Sequence, residues 1–202
     1  MQETRINNSL FESPIPQLLY VGRLSPEKGV STLIEAALEL ISNSSNFQLN
    51  VVGEGILMDE LIQKSYEEKV INRVNKIDET TQIIKFHGAV SEPIEYYKSN
   101  HIFILPSLSE GFPNALIEAM SAGMGCIVSD RLKNKLTFLI DRENVLFFEC
   151  ENHHDLSEKI NQLLTERNLW VTLSQNAMEL AKEFQSQSIL NEYLEVLNLS
   201  RS

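Results

Sequence analysis

Along the chain, short apolar runs alternate with longer stretches in which apolar residues recur at helical spacing. The runs cover residues 17–22 (QLLYVG), 47–53 (FQLNVVG), 83–88 (IIKFHG), 101–106 (HIFILP), 125–130 (GCIVSD) and 144–149 (NVLFFE). Nearly every position in them is apolar, as expected of strands buried on both faces of a parallel sheet. Between them the spacing predicts helices over 30–41, from Leu57 to about Lys76, near 94–98 and over about 113–122. Residues 154–199 read as two or three more helices, the last carrying Ile189, Leu190, Tyr193, Leu194 and Leu197 at helical spacing. Residues 1–16 are polar and irregular, with Pro14 and Pro16 just before the first strand, and are read as a linker outside the core.

Strands alternating with helices imply a doubly wound α/β sheet. Ligands of such sheets bind beyond the carboxyl ends of the strands, where the strand order reverses. The informative loops are therefore those that begin at Gly22, Gly53, Gly88, Pro106 and Asp130.

Composition narrows the partners. A chain of 202 residues with 43% hydrophobic positions buries one substantial core. Its 17 Lys and Arg against 28 Asp and Glu, a net charge of −11, argue against a nucleic-acid partner. Any anionic ligand must be held by a local exception to that charge. There is no apolar run of the roughly 18 to 20 residues a membrane span needs, and the start of the chain lacks a signal-peptide layout, so a cytoplasmic protein is expected. Cys126 and Cys150 lie in or beside apolar runs without zinc-ligand spacing, and are read as reduced core residues.

The first loop, GRLSPEKG (Gly22–Gly29), leaves a strand and opens a helix, placing Arg23 and Lys28 beside a helix N-terminus. Arginine can fork two donors onto phosphate oxygens, lysine adds a mobile charge, and free helix amides add more donors. The alternative is a solvated loop with Lys28 paired to Glu27 or another acid. No Gly-Lys-Ser/Thr follows, so this is not a Walker loop. GEGILM (Gly53–Met58) lacks a third glycine and reads as a tight strand-to-helix turn, either glycine of which would let a ligand approach the backbone.

The most informative stretch is PSLSEGFPNALIEAMSAG (Pro106–Gly123) after the fourth strand. Pro113 fits the first helical position, which would leave the amides of Asn114, Ala115 and Leu116 free and turned toward Arg23 and Lys28. Glu110 lies on the approach loop and Glu118 about one turn into the helix. A cationic, amide-lined floor with two separated carboxylates matches a sugar nucleotide, whose diphosphate lies between hydroxyl-bearing rings. Taken singly, each acid also reads as a cap or a surface residue. The four histidines read as packing, strand-edge or, for His153-His154, solvated-turn residues. No cluster has metal-ligand composition at the expected pocket, so a metal-independent reaction without a cofactor is expected.

The ordered set GRLSPEKG, Gly53-Glu54-Gly55, FHGAV, LPSLSEGFPNALIEAMSAG and IVSD resembles the C-terminal, donor-binding domain of the GT-B-fold retaining glycosyltransferases of glycosyltransferase family 4, the glycosyl transferases group 1 domain. The resemblance runs from about Gln17 to Phe184. It implies a Rossmann-like three-layer α/β/α domain of about six parallel strands, one half of a GT-B fold, spanning 17–184. Residues 1–16 would be an inter-domain linker, and 185–202 a C-terminal helix that packs against a missing N-terminal domain. It further implies that Arg23 and Lys28 contact the donor diphosphate, that Glu110 faces the transferred sugar, and that Glu118 bonds the ribose. Gly22 and Gly53 would sit close to the donor. The backbone around Gly111, Phe112, Asn114 and Ala115 would meet sugar and phosphate, and Ala89 and Val90 would line the base.

Two departures stand out. A proline is usual where Gly125 stands, and a glycine-rich loop ending in Glu is usual where this chain has RLKNKLTFLID (131–141). Arg131, Lys133 and Lys135 are read either as a compensating basic lip for a phosphate or an acidic surface, or as an exposed loop with a few cations. The implied function is transfer of a sugar from a nucleoside diphosphate sugar to an acceptor hydroxyl, in polysaccharide or glycoconjugate biosynthesis. The acceptor, a glycan or lipid-linked sugar, would be held by the missing domain, with peripheral association at the inner face of a membrane. The alternatives are a non-catalytic nucleotide-sugar-binding or interaction module, and a GT-B-fold sugar-nucleotide epimerase.

Overall fold

The computed structural model describes residues 9–67 and 83–199. The elements in order are α1 (Ser9–Glu12), β1 (Gln17–Val21), α2 (Val30–Ser42), β2 (Gln48–Val52), α3 (Met58–Glu67), β3 (Ile84–Phe86), α4 (Ile94–Ser99), β4 (Ile102–Leu105), α5 (Asn114–Ser121), β5 (Gly125–Ser129), β6 (Leu146–Phe148), α6 (His153–Thr165) and α7 (Arg167–Leu199). Short 3-10 turns cover Pro26–Lys28 and Asp130–Leu132. All six expected strands form, each shorter than its apolar run by one or more end residues. The helix expected beyond residue 67 lies outside the described residues, as do the side chains of the Ile189, Tyr193 and Leu197 stripe.

The six strands form one parallel sheet in the order β3-β2-β1-β4-β5-β6. Because side chains alternate along a strand, the sheet feeds two apolar layers. Leu18, Tyr20, Leu49, Val51, Ile104 and Phe148 join Leu33 and Ile34 of α2 and Leu156 and Ile160 of α6 on one face. Leu19, Val52, Phe103, Leu105, Cys126, Val128 and Phe147 meet Tyr97 of α4 and Leu116 and Met120 of α5 on the other. Helix α7 serves both: Leu169, Trp170 and Leu173 belong to the first layer, Ala177 and Ala181 to the second.

The start of the chain departs from the reading that left residues 1–16 out of the core. Leu10 of α1 is buried in the first layer, and Phe11 meets Trp170 edge-on at 6.1 Å. Two apolar residues on one helical turn give too short a period to register in the sequence. The burial comes from a tertiary partner 159 positions away (170 − 11).

Asn50 is the polar exception within β2. Its side-chain amide donates to Asn100 Oδ1 (2.8 Å) and Gln17 Oε1 (3.2 Å), and its oxygen lies 2.9 Å from His87 Nε2. Full pairing offsets the cost of placing an amide in the sheet. His101 Nδ1 accepts from Gln17 N at 2.9 Å, so both His87 and His101 are structural, as expected.

Candidate functional site

The sheet order reverses between β1 and β4. A crevice outside the carboxyl ends of these two strands follows from that topology. The loop from Gly22 to Gly29 and the loop from Pro106 to Pro113 wall it, and they are stitched together: Leu108 N donates to Glu27 O at 2.9 Å. Gly29, at φ 65°, sits so close to this second loop that a β-carbon there would lie 2.1 Å from Pro106 O. A cavity of about 220 Å³ opens between them, bordered by Tyr20, Gly22, Arg23 and Lys28 on one side and Ser107, Glu110, Phe112, Asn114 and Ala115 on the other.

At its centre the Lys28 ammonium bonds both oxygens of Glu110, at 2.7 and 2.8 Å. Ser107 Oγ donates to Glu110 Oε1 at 2.6 Å. Glu110 is 9% exposed, and three hydrogen bonds to its carboxylate match the demand of a charge held out of bulk water. Arg23 is paired more loosely, 3.3 Å from Glu27 with its side chain 74% exposed. Glu27 in turn accepts from Ser25 Oγ at 2.7 Å, and that bond above all holds its carboxyl below the usual range. Both cations expected to bind phosphate are thus ion-paired in this structure, Lys28 with an acid expected to act separately. Tyr20 braces the first loop by donating to Arg23 O at 2.7 Å, and burial, followed by the charges of Glu110 and Glu27, pushes its hydroxyl pKa far up.

The start of α5 corrects one expectation. Asn114 N donates to Phe112 O (3.0 Å), and Leu116 N and Ile117 N both donate to Pro113 O (3.0 and 3.1 Å). Pro113 stands outside the helix at ψ 66°, with its carbonyl already turned down the helix axis. The first turn therefore consumes two of the three amides expected to be free, and Ala115 N alone of them has no such bond.

Of the other expected site residues, Gly53, Ala89, Val90, Gly111 and Glu118 do not border this cavity. Gly53 and Ala89 belong to an adjoining shelf at the ends of β2 and β3. Gly53 N donates to Gly88 O (2.8 Å), Gly22 N to Val52 O (3.0 Å), Leu24 N to Glu54 O (2.9 Å), and Ala89 N to Glu54 Oε1 (3.3 Å). Gly53, at φ 137°, has its open face against the neighbouring loop: a β-carbon there would lie 1.8 Å from Gly22 O. The glycine is needed for loop against loop. Val90 packs on the second apolar layer, and Glu118 is exposed on α5 beside Tyr97.

Four wall residues were not singled out from the sequence: Tyr20, Val21, Leu105 and Ser107. Ser107 had a signal, since a serine directly after β4 and three residues before Glu110 can turn its hydroxyl onto that carboxylate.

The basic residues of the β5–β6 loop separate. Lys135 donates to the main-chain carbonyl of Glu110, Lys133 lies 5.7 Å from the Phe147 ring centre, and Arg131 is exposed on the 3-10 turn. They form no common lip. Gly125, where proline is usual in the resembled family, is explained by packing. Its N–H donates to His101 O (3.0 Å), and a β-carbon would lie 2.6 Å from the Trp170 ring. His153 and His154 form the first turn of α6 rather than a solvated turn. His154 Nδ1 lies 2.7 Å from Glu39 Oε1, and His153 Nδ1 lies 3.6 Å from Glu35 Oε2. Cys126 is buried, whereas Cys150 is half-buried; both thiols are free.

A parallel sheet of this order, with helices on both faces, is a Rossmann-like α/β fold of the kind found in GT-B glycosyltransferases. The chain belongs to the glycosyl transferases group 1 family, whose model matches residues 1–180. It is 24% identical over 208 residues to the capsular polysaccharide biosynthesis glycosyltransferase CapM of Staphylococcus aureus, covering 96% of this chain and 50% of CapM. Among solved structures, the C-terminal domain of the glycosyl transferase group 1 protein LpcC from Francisella tularensis superposes with a TM-score of 0.69 at 22% identity. That match covers 90% of this chain and 93% of LpcC's domain. A variant of S. aureus TarM, solved with fondaparinux, alpha-GlcNAc-glycerol and UDP, superposes with a TM-score of 0.73 at 22% identity, over 91% of this chain and 36% of TarM. The chain spans about half the length of the curated relatives it matches. No helix among the described residues is long and apolar enough to cross a membrane.

Proposed function

We propose that this chain is the nucleotide-sugar-binding half of a retaining glycosyltransferase. It would hold a nucleoside diphosphate sugar while an acceptor hydroxyl, supplied with a second domain, attacks the anomeric carbon. The observation that carries this reading is the switch-point cavity, where Arg23, Lys28 and Glu110 converge from two loops that the sheet makes neighbours.

The chemical task is to stabilise the charge that develops on the departing diphosphate. Lys28 has three N–H donors, of which two meet Glu110, so one is left for a phosphate oxygen. Arg23 is held only by an exposed, solvent-screened ion pair and is easily released to fork onto phosphate. These side chains do the work that a divalent cation does in other transferases, and the reading calls for no metal and no cofactor. Ala115 N adds a neutral donor. Glu110, fixed by Lys28 and Ser107, orients hydroxyls of the transferred sugar. Glu118 reaches the ribose, and Gly53, Gly111, Ala89 and Val90 come into contact with the donor when it spans crevice and shelf. The acceptor is a glycan or lipid-linked sugar of polysaccharide or glycoconjugate biosynthesis, as CapM's name suggests for that relative, and the enzyme works on the cytoplasmic side of the membrane.

A thermal-shift panel of UDP-, GDP-, ADP- and dTDP-sugars tests the reading. A matching donor at 100 times its dissociation constant should add about 2.7 kcal/mol of stability. A folded protein silent across the panel refutes it. Transfer should appear only once the acceptor-binding half is added, so turnover by this chain alone would refute the division of labour.

A further inference from the structure

The turn that carries Glu110 is held by side-chain and main-chain contacts rather than by regular structure. Between Ser107 and Pro113 the chain forms no regular structure, and Gly111 stands open: a β-carbon there would meet no heavy atom within 4 Å. The peptide joining Glu110 to Gly111 therefore has at one end a glycine with nothing packed against its α-carbon, which leaves its orientation to be set by the contacts it makes. Its carbonyl is taken by Lys135, from the β5–β6 loop. Lys135 is itself well placed to act as a strut. Its N–H donates to Leu132 O (3.1 Å), and Leu132, Leu136 and Leu139 anchor the loop in the second apolar layer at 1%, 4% and 3% exposure. A second contact ties the same elements: Phe138 stacks edge-on against Phe184 of α7 (4.7 Å), which meets Phe112 of the turn (6.0 Å).

We propose that Lys135 is a positioning residue for the donor sugar, setting the orientation of the Glu110–Gly111 peptide. Glu110 and Phe112 border the cavity and Lys135 does not. Gly111 is exposed and outside that lining, so the bond from Lys135 acts on the main chain that carries the Glu110 carboxylate into the cavity. The inference rests on the reading of Glu110 as the group facing the transferred sugar, and it assigns Lys135 to the sugar rather than to the nucleotide.

The test measures, by calorimetric titration of this chain, the free nucleoside diphosphate and its sugar derivative, using UDP, GDP, ADP and dTDP with their glucose and N-acetylglucosamine forms. The proteins are wild type, Lys135→Met, Lys135→Arg and, as a charge control, Lys133→Met. Lys135→Met should weaken the sugar derivative by roughly three- to tenfold and the free diphosphate by less than about twofold. Lys135→Arg should restore most of the loss, and Lys133→Met should match wild type. Equal losses for both ligands, no loss for either, or an equal effect of Lys133→Met would overturn the role of Lys135 while leaving the donor site standing. A wild-type protein that binds neither ligand would overturn the donor site itself and this inference with it. Lys135 is exposed, so its variants should fold, as far-ultraviolet dichroism and unliganded melting will verify.

Discussion

Replacing Lys28 with Met removes the ammonium while keeping most of the side chain's volume. In the wild type that ammonium makes two charge-assisted bonds, at 2.7 and 2.8 Å, to a carboxylate that is 9% exposed. Removing one partner of a fully buried pair costs about 3 to 5 kcal/mol, because the remaining charge is stranded. Here Glu110 keeps Ser107, and the cavity lets water reach it, so the loss should fall to about 2 to 3 kcal/mol. In a protein of this size that is a melting shift of roughly 4 to 12 °C. Glu110→Gln should cost less, about 1 kcal/mol, since Lys28 can turn its charge to water. The double variant strands no charge and should be more stable than Lys28→Met alone. Urea unfolding followed by the fluorescence of Trp170, the chain's one tryptophan and 1% exposed, measures all three. Strict additivity of the two substitutions, or a Lys28→Met loss under about 0.5 kcal/mol, would refute the claim that the pair is coupled and desolvated.

Gly125→Ala should lose about 2 kcal/mol or more, as its methyl group meets the Trp170 ring, with an altered tryptophan emission as the accompanying signal. Tyr97→Phe should change stability by less than about 1 kcal/mol by denaturant titration, because the buried Tyr97 hydroxyl faces only the exposed Glu118 and makes no hydrogen bond of normal geometry among the described residues. His154 has its pKa raised by its bond to Glu39, then by the charges of Glu39 and Glu158. Its contribution to stability is therefore complete below the ordinary value of 6.5 and lost as pH rises through the raised folded value. Wild type should exceed His154→Gln in urea midpoint at pH values below the ordinary value and converge with it in alkali; a gap that widened with pH would reverse the sign of this argument.

The sheet was legible because burial on both faces leaves strands as near-continuous apolar runs, and one polar residue, Asn50, does not break such a run. What made Asn50 tolerable, its bonds to Asn100, Gln17 and His87, comes from three other segments and leaves no local trace. Leu10 was hidden for the same reason. The site's loops were legible from their position after strands, with Arg23, Lys28 and Glu110 in place. Their pairing was not: Lys28 and Glu110 are 82 residues apart, and only the adjacency of β1 and β4 brings them together. The Pro113 turn was half legible, since proline marks the start of α5 but not the direction of its own carbonyl.

The bond between Lys28 and Glu110 also means that the crevice carries an anion of its own. The carboxylate stands where a ligand's negative charge would otherwise sit, as a resident competitor covalently tied to the wall. A visiting anion must win its share of the Lys28 ammonium from a partner at very high local concentration. Inorganic phosphate or a passing carboxylate, with little else to offer, should gain almost nothing there. A long ligand that adds contacts along both loops can accept the same local deficit, so the acid inside the site works as a filter for size as much as for charge.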